Sequence, residues 1–339
     1  MKTVTFGEVM LRLAPFGYLK LLQEPEFKAT FGGGEANVAV SLANFGEEVA
    51  YVTKLPDNPI AQACINELRG FGVDTSDITR GGDRVGIYYC EKGASMRPSK
   101  VIYDRANSSI ALAKKADFKW KRILKGVDWF HFTGITPALG KNVEAITLDA
   151  LKECKNKGIT ISCDLNYRKK LWTKDEARKS MTELCKYVDV CICNEEDAAD
   201  VFGIQAQGTN VISGKLNKEG YESVAKQLVD KFGFKVVAIT LRESFSANDN
   251  NWSAMLYKDG KAYYSKTYSI HIVDRVGGGD SFGAGLIYAL KNNYSNQEAI
   301  EFAVGASALK HTIEGDYNRV TVNEVKTLIG GDTSGRVQR

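Results

Sequence analysis

The sequence predicts an α/β protein: a mostly parallel sheet flanked by helices on both faces, with a small β-sheet lid. Three observations carry this. From Val127 onward, short apolar strands alternate with helical patterns, the rhythm of strand–helix–strand crossovers. Those strands are nearly continuous in apolar residues, as a sheet buried on both sides requires. Before residue 110, two clusters of short β segments fall outside the alternation and suit a separate small sheet.

Val4 to Leu13 reads as a strand, and Leu19 to Phe31 as a turn-broken stretch leading to Gly32-Gly33-Gly34. An apolar helix follows from Ala36 to Phe45 and ends at Gly46, then a short strand from Glu48 to Lys54. Asn58 to Gly70 is amphipathic, with Ile60, Cys64, Ile65 and Leu68 on one side. Val85–Cys90 and Lys100–Tyr103 read as strands joined by a polar turn. The lid segments therefore lie at about 11–31 and 84–107. The alternating strands are Val127–Thr133, Ile159–Asp164, Val188–Asn194 and Val236–Leu241. Their helices are Val143–Lys155, Lys174–Lys186 and Tyr221–Phe232. Trp252–Tyr257 and Lys261–Ser265 flank Asp259-Gly260, a hairpin signal. Ser281 to Asn292 has helical period, and the small-residue helix Glu298–Lys310 suits close packing against it. With no repeat or linker, residues 1–330 read as one domain and 331–339 as a flexible tail.

A formal net charge of +4 is too small to argue for nucleic acid. The basic run from Lys114 to Lys125, with Trp120 inside it, reads as a solvated helix face, since nothing extends the patch. Seven cysteines, an odd number without a Cys-x-x-Cys pair, and only three histidines argue against a zinc site. They read as small buried hydrophobes in a reducing compartment. No secretory signal opens the chain, and no apolar run reaches the roughly 18 residues of a membrane helix. The expectation is a cytoplasmic protein with no membrane partner.

The chemistry centres on Asp274-Arg275-Val276-Gly277-Gly278-Gly279-Asp280. Consecutive glycines let the backbone turn its amides toward one point. The helix after them adds free N–H groups and a partial positive charge, an arrangement that binds anions, phosphate above all. Asp280 falls at the expected N-cap. It is either a simple cap or a base beside a phosphate site. Neither a Walker loop nor a Rossmann fingerprint fits the spacing, so a phosphate loop and a plain glycine-rich turn stand side by side on spacing alone. Polar residues also gather at the expected strand ends, where ligands of open α/β sheets lie: Asp164 to Arg168, Asn194 to Asp197, and Thr240 to Arg242.

The Asp274–Asp280 segment resembles the C-terminal signature of the ribokinase-like (PfkB) carbohydrate kinases, roughly Asp-Thr-Thr-Gly-Ala-Gly-Asp. Asp274, Gly277, Gly279 and Asp280 match it; Arg275, Val276 and Gly278 depart. Gly32-Gly33-Gly34-Glu35-Ala36-Asn37 resembles the family's sugar-site signature, Gly-Gly-x-x-x-Asn. Asn194-Glu195-Glu196-Asp197 is similar to its Asn-x-x-Glu element, with Asp197 in place of Glu, and Thr240-Leu241-Arg242 to its Thr-Leu-Gly turn, with Arg242 in place of Gly. Within the family, Asp164-Leu165-Asn166-Tyr167-Arg168-Lys169-Lys170-Leu171-Trp172 resembles the Asp-x-Asn-x-Arg-x-x-Leu-Trp run of kinases acting on 2-keto-3-deoxygluconate.

The resemblance covers nearly the whole chain and implies a ribokinase-like fold, ATP and Mg²⁺ as cofactors, and an acid sugar as substrate. It implies that Asp280 is the catalytic base, with Gly277, Gly278 and Gly279 stabilising the transferred phosphoryl group. It implies sugar contacts from Gly33, Gly34, Asn37, Tyr89, Tyr103, Arg105, Asn107, Arg168, Asp280 and Asp316. Tyr89 and Tyr103 read equally as lid-core aromatics. Nucleotide contacts fall to Asn166, Asn194, Thr240, Arg242, Gly277 and Gly279, and Asp197 would reach Mg²⁺ through water. Arg105 and Arg168 suit a carboxylate, which a neutral sugar lacks. The expected reaction is phosphorylation of the C6 hydroxyl of 2-keto-3-deoxygluconate. Fructose, an epimeric keto-deoxy acid, or a non-catalytic sugar-binding regulator are the alternatives. A homodimer through the lid is implied as well, because a small exposed sheet has edges and an apolar face to cover.

Overall fold

The structure, a computed structural model, describes residues 2–205, 218–332 and 335. The expected tail at 331–339 lies largely outside the described residues. Among the described residues fifteen strands are formed. In chain order they are β1 (Lys2–Phe6), β2 (Met10–Ala14), β3 (Lys28–Gly32), β4 (Glu48–Val52), β5 (Lys54–Leu55), β6 (Thr79–Arg80), β7 (Gly86–Glu91), β8 (Lys100–Asp104), β9 (Val127–Thr133), β10 (Thr160–Asp164), β11 (Val190–Asn194), β12 (Val236–Ser244), β13 (Asp249–Lys258), β14 (Lys261–Tyr264) and β15 (Tyr268–His271). The large sheet is nine-stranded, ordered β14-β13-β12-β11-β10-β9-β1-β4, with β15 also on β13. From β4 to β12 every pairing is parallel; β13, β14 and β15 join antiparallel.

Helices cover both faces. Alternate residues along each strand feed two cores, as the period of two requires. Phe130 and Phe132 of β9, with Val237 and Ile239 of β12, pack under α5 (Lys141–Asn156), α6 (Lys174–Leu184), α7 (Glu195–Phe202) and α8 (Lys218–Phe232). Trp129, Val236 and Ala238 pack on the other face under α1 (Gly34–Asn44), α2 (Pro59–Gly70), α9 (Gly278–Lys291), α10 (Asn296–Lys310) and α11 (Val322–Ile329). The short helices α3 (Trp120–Ile123) and α4 (Ile135–Ala138) flank β9. Small residues do bring α9 and α10 together: a Cβ on Gly285 would lie 2.9 Å from the Cα of Ala303.

The expected strand from Val4 to Leu13 is two strands in two sheets. The chain leaves β1 at Phe6, turns through Gly7-Glu8-Val9, and enters β2 of a four-stranded sheet ordered β3-β2-β7-β8. Gly7 sits at that turn because any side chain would strike the Glu35 carboxylate, 2.1 Å from its Cβ position. The small sheet pairs Arg12 with Tyr88, and Tyr88 with Tyr103, so these three share one face. Met10, Tyr88 and Cys90 on that face form an apolar cluster with Val101 and with Val276 of the glycine loop. Val276 thus carries an apolar contact between the loop and the small sheet.

Candidate active site

A cleft of about 470 Å³ runs along the carboxyl ends of β12, β11, β10, β9 and β1, roofed by the inner face of the small sheet. It takes Thr240 and Arg242 from β12, Asn194 from the end of β11, and Asn166 and Arg168 from the loop after β10. At the β1 end it takes Glu8, Gly33, Gly34 and Asn37; the small sheet adds Tyr88, Tyr103 and Arg105. Gly277, Gly279, Asp280 and Asp316 form its floor.

Gly277, not Asp280, caps α9. Its φ of 84° lies in the left-handed region, and a Cβ there would sit 2.0 Å from the Asp316 carbonyl oxygen. Asp280 therefore stands two residues into the helix, at its third position, and its side chain is free of any capping bond. Asn37 Nδ2 donates to Asp280 Oδ2 across 2.7 Å. Burial pushes the Asp280 carboxyl up to about 6; the Asn37 hydrogen bond opposes this, Asp316 adds to it, and Arg168 and Lys310 counter it. Gly34 lies alongside: a Cβ on it would be 3.6 Å from Asp280 Oδ1.

Of the three loop glycines, Gly277 and Gly279 line the cleft and Gly278 does not. The Gly278 amide turns back to the Arg275 carbonyl at 3.3 Å, and a side chain there would meet the His311 ring at 2.4 Å. Gly278 is thus a shape requirement rather than a donor into the cleft. Nothing lies within 4 Å of a Cβ on Gly279, which faces the open space.

Tyr89 and Asn107 are not brought to the cleft. Tyr89 points to the outer face of the small sheet, edge-on to Phe27 at 6.2 Å. Its neighbour Tyr88 faces inward and donates to Asp316 Oδ2 at 2.5 Å. Asn107 is exposed in a turn with φ 57°. Asn194 caps α7, its Oδ1 accepting from the amides of Glu196 and Asp197 at 2.8 Å each. Asp197 lines the cleft, but its oxygens accept from the amides of Tyr167 at 3.0 Å and Asn194 at 3.2 Å. Among the described residues no group of three or more His, Cys, Asp or Glu side chains is set to hold a metal. Burial, then Asp197 and then Asp280, push the nearby Asp164 carboxyl far above its ordinary range.

Three charged residues to which the sequence assigns no role complete the site. Arg12, 2% exposed, reaches from β2 to Asp316 Oδ1 and Asp274 Oδ2, at 2.7 Å each. Glu8, equally buried, accepts from Arg105 Nε at 2.7 Å, from Arg105 Nη2, and from Ser108 at 2.6 Å. Glu35 accepts from the amide and hydroxyl of Thr133 and from Thr136, and burial pushes it up to about 7 against those bonds. Their partners lie far away in sequence, so no local pattern marks them.

The cleft runs from β12 to β1 past a carboxylate beside a glycine loop and a helix N-terminus, an arrangement that can bring a phosphate donor and a polyol together. That is the layout of a small-molecule kinase. The chain belongs to the pfkB family of carbohydrate kinases, whose profile matches residues 1–322. It is 52% identical to 2-dehydro-3-deoxygluconokinase of Thermotoga maritima, whose crystal structure superposes with a TM-score of 0.94 over 98% of each chain. It is 30% identical over 332 residues, 98% of each chain, to 2-dehydro-3-deoxygalactonokinase of Haloferax volcanii. A putative ribokinase II of E. coli in complex with ATP and Mg²⁺ shares the fold, with 18% identity and a TM-score of 0.81 over 97% of this chain and 99% of that one.

Proposed function

We propose that this kinase transfers the γ-phosphoryl group of ATP to the C6 hydroxyl of 2-keto-3-deoxygluconate (2-dehydro-3-deoxygluconate), giving 2-keto-3-deoxy-6-phosphogluconate. The observation that carries the reading is the Asp280 carboxylate, free of capping duty and held by Asn37 between the phosphate loop and the sugar-side turn. The names of the relatives support the substrate.

Asp280 orients the hydroxyl and takes its proton. The transition state of phosphoryl transfer is loose and the proton leaves late, so position outweighs basicity. The Gly277 and Gly279 amides, with the positive end of α9, stabilise charge on the transferred oxygens. Arg168 and the outward nitrogen of Arg105 hold the sugar carboxylate, and Glu8 fixes the Arg105 fork. Tyr88 and Tyr103 present their rings from the roof, with Gly33 and Gly34 beneath. Thr240, Arg242, Asn166 and Asn194 face the nucleotide. Asp164 and Asp197 would hold a hydrated Mg²⁺ through its waters, and the ion would supply neutralisation of phosphate charge. The small sheet closes over the sugar as a lid and keeps water from the γ-phosphate.

The outer face of that sheet carries Leu11, Leu13, Ile87, Tyr89 and Ile102, the last 42% exposed. A second copy covering this face would make a homodimer, which Ile102→Lys would weaken in sedimentation measurements. The seven cysteines are free and buried, which suits a reducing cytoplasm.

ADP release with ATP, Mg²⁺ and a panel of 2-keto-3-deoxygluconate, its galacto epimer, fructose, ribose and gluconate tests the reading. A preference for the keto-deoxy acids supports it. Turnover of a neutral sugar in their place keeps Asp280 and removes the carboxylate clamp.

A further inference from the structure

Two lysines are buried among the described residues, Lys291 at 9% exposure and Lys310 at 0%. Lys291 meets carboxylates, with Glu47 at 2.8 Å and Asp128 at 3.5 Å. Lys310, the last residue of α10, is treated differently. Its Nζ donates to two backbone carbonyls, Asp274 at 3.2 Å and Ile313 at 3.1 Å. Asp274 opens the glycine loop, and Ile313 lies on the turn that leads to Gly315 and Asp316. Lys310 Cε would be 3.2 Å from a Cβ on Gly277, so the stem lies against the residue that caps α9.

Carbonyl oxygens at hydrogen-bond range, with carboxylates just behind them, are how proteins surround a monovalent cation. The buried charges nearby are the carboxylates of Asp274, Asp316 and Asp280 on one side and Arg12 and Lys310 on the other. Without Lys310, the cluster would hold one more uncompensated negative charge away from water, a costly state that demands a cation. Burial pulls the Lys310 amine down to about 8, and Asp274 and Asp316 oppose that pull, so it is protonated at neutral pH.

We propose that Lys310 is a positioning residue, a built-in monovalent cation that pins the Asp274–Gly277 backbone in its anion-binding shape, so that this kinase turns over without potassium or sodium. The proposal rests on the kinase reading for its turnover arm only.

The test compares salts at equal ionic strength: potassium, sodium, ammonium, and tetramethylammonium, which is too large for the site. The wild-type chain is expected to have the same kcat in all four, and a wild-type requirement for potassium or sodium would overturn the proposal. In tetramethylammonium, kcat of Lys310→Ala should fall on the order of tenfold or more, as a displaced loop dictates. Potassium or ammonium should restore it. Lys310→Met, which fills the space without charge, should stay low in every salt. A Lys310→Ala enzyme indifferent to the cation, fast or slow, overturns the proposal. Thermal unfolding gives a readout that needs no substrate. Potassium should raise the midpoint of Lys310→Ala by roughly 2–4 °C over tetramethylammonium and leave the wild type unmoved. No shift in the variant, or a potassium-specific shift in the wild type, contradicts it. If no sugar is turned over by the wild type, the kinase reading fails and the thermal arm still decides the role of Lys310.

Discussion

The Asn37 side-chain amide donates to the Asp280 carboxylate across 2.7 Å, joining two glycine turns 243 residues apart in sequence. One turn opens α1 on the sugar side of the cleft, and the other opens α9 on the phosphate side. The bond orients one Asp280 oxygen, and the other serves the acceptor hydroxyl in the proposed reaction. Asp280→Asn keeps the shape and loses the base. Its kcat should fall about 10²–10⁴-fold, with sugar affinity by calorimetry nearly unchanged. Substantial remaining turnover would remove Asp280 from the base role.

Asp280 accepts a proton only when ionised, and burial has moved its pKa up to about 6. Activity should therefore fall as pH drops through about 6. The Asn37 hydrogen bond favours the ionised form. Removing it in Asn37→Ala should carry the acid limb of the kcat/KM profile to higher pH. A limb that stays in place would show that Asn37 does not tune Asp280.

Adjacent tyrosines separate the two faces of the small sheet. Tyr88 donates to Asp316 inside the cleft, and Tyr89 packs on Phe27 outside it. Tyr88→Phe leaves a buried carboxylate oxygen short of a donor, a loss of about 1–3 kcal/mol in stability, and should raise KM for the sugar. Tyr89→Phe should change neither. Denaturant midpoints and steady-state kinetics on the pair check both expectations.

Arg168 is exposed at the cleft wall, its Nη1 bonded to the Tyr167 carbonyl at 3.0 Å. Truncation to Ala should cost little stability. A charge-assisted contact of about 1.5–3 kcal/mol corresponds to roughly a ten- to hundredfold rise in KM for an acid sugar. The KM for a neutral sugar should barely move. Equal effects on both would assign Arg168 to something other than a carboxylate.

Much of this was legible in the sequence, for physical reasons. The strands from Val127 onward are long apolar runs with helical patterns between them, and such runs have few alternatives. Glycine loops announce themselves because other residues cannot take their conformations. The failures have causes too. Three consecutive glycines do not reveal which one caps the helix, so from sequence Asp280 reads as the N-cap, although it stands two residues inside α9. Tyr88-Tyr89 offers either residue to the cleft until the register with Arg12 is known. Val4 to Leu13 hid a change of sheet, because Gly7 marks a turn only through its contact with Glu35. Arg12 was invisible: its carboxylate partners lie 262 and 304 residues away.

The most direct measurement is to incubate the chain with ATP, Mg²⁺ and 2-keto-3-deoxygluconate and follow the product by phosphorus and proton NMR. One new phosphate ester is expected, coupled to the C6 protons of the sugar and absent with Asp280→Asn. A phosphate on another hydroxyl would contradict the acceptor geometry. No ester from folded protein with this sugar would contradict the assigned substrate.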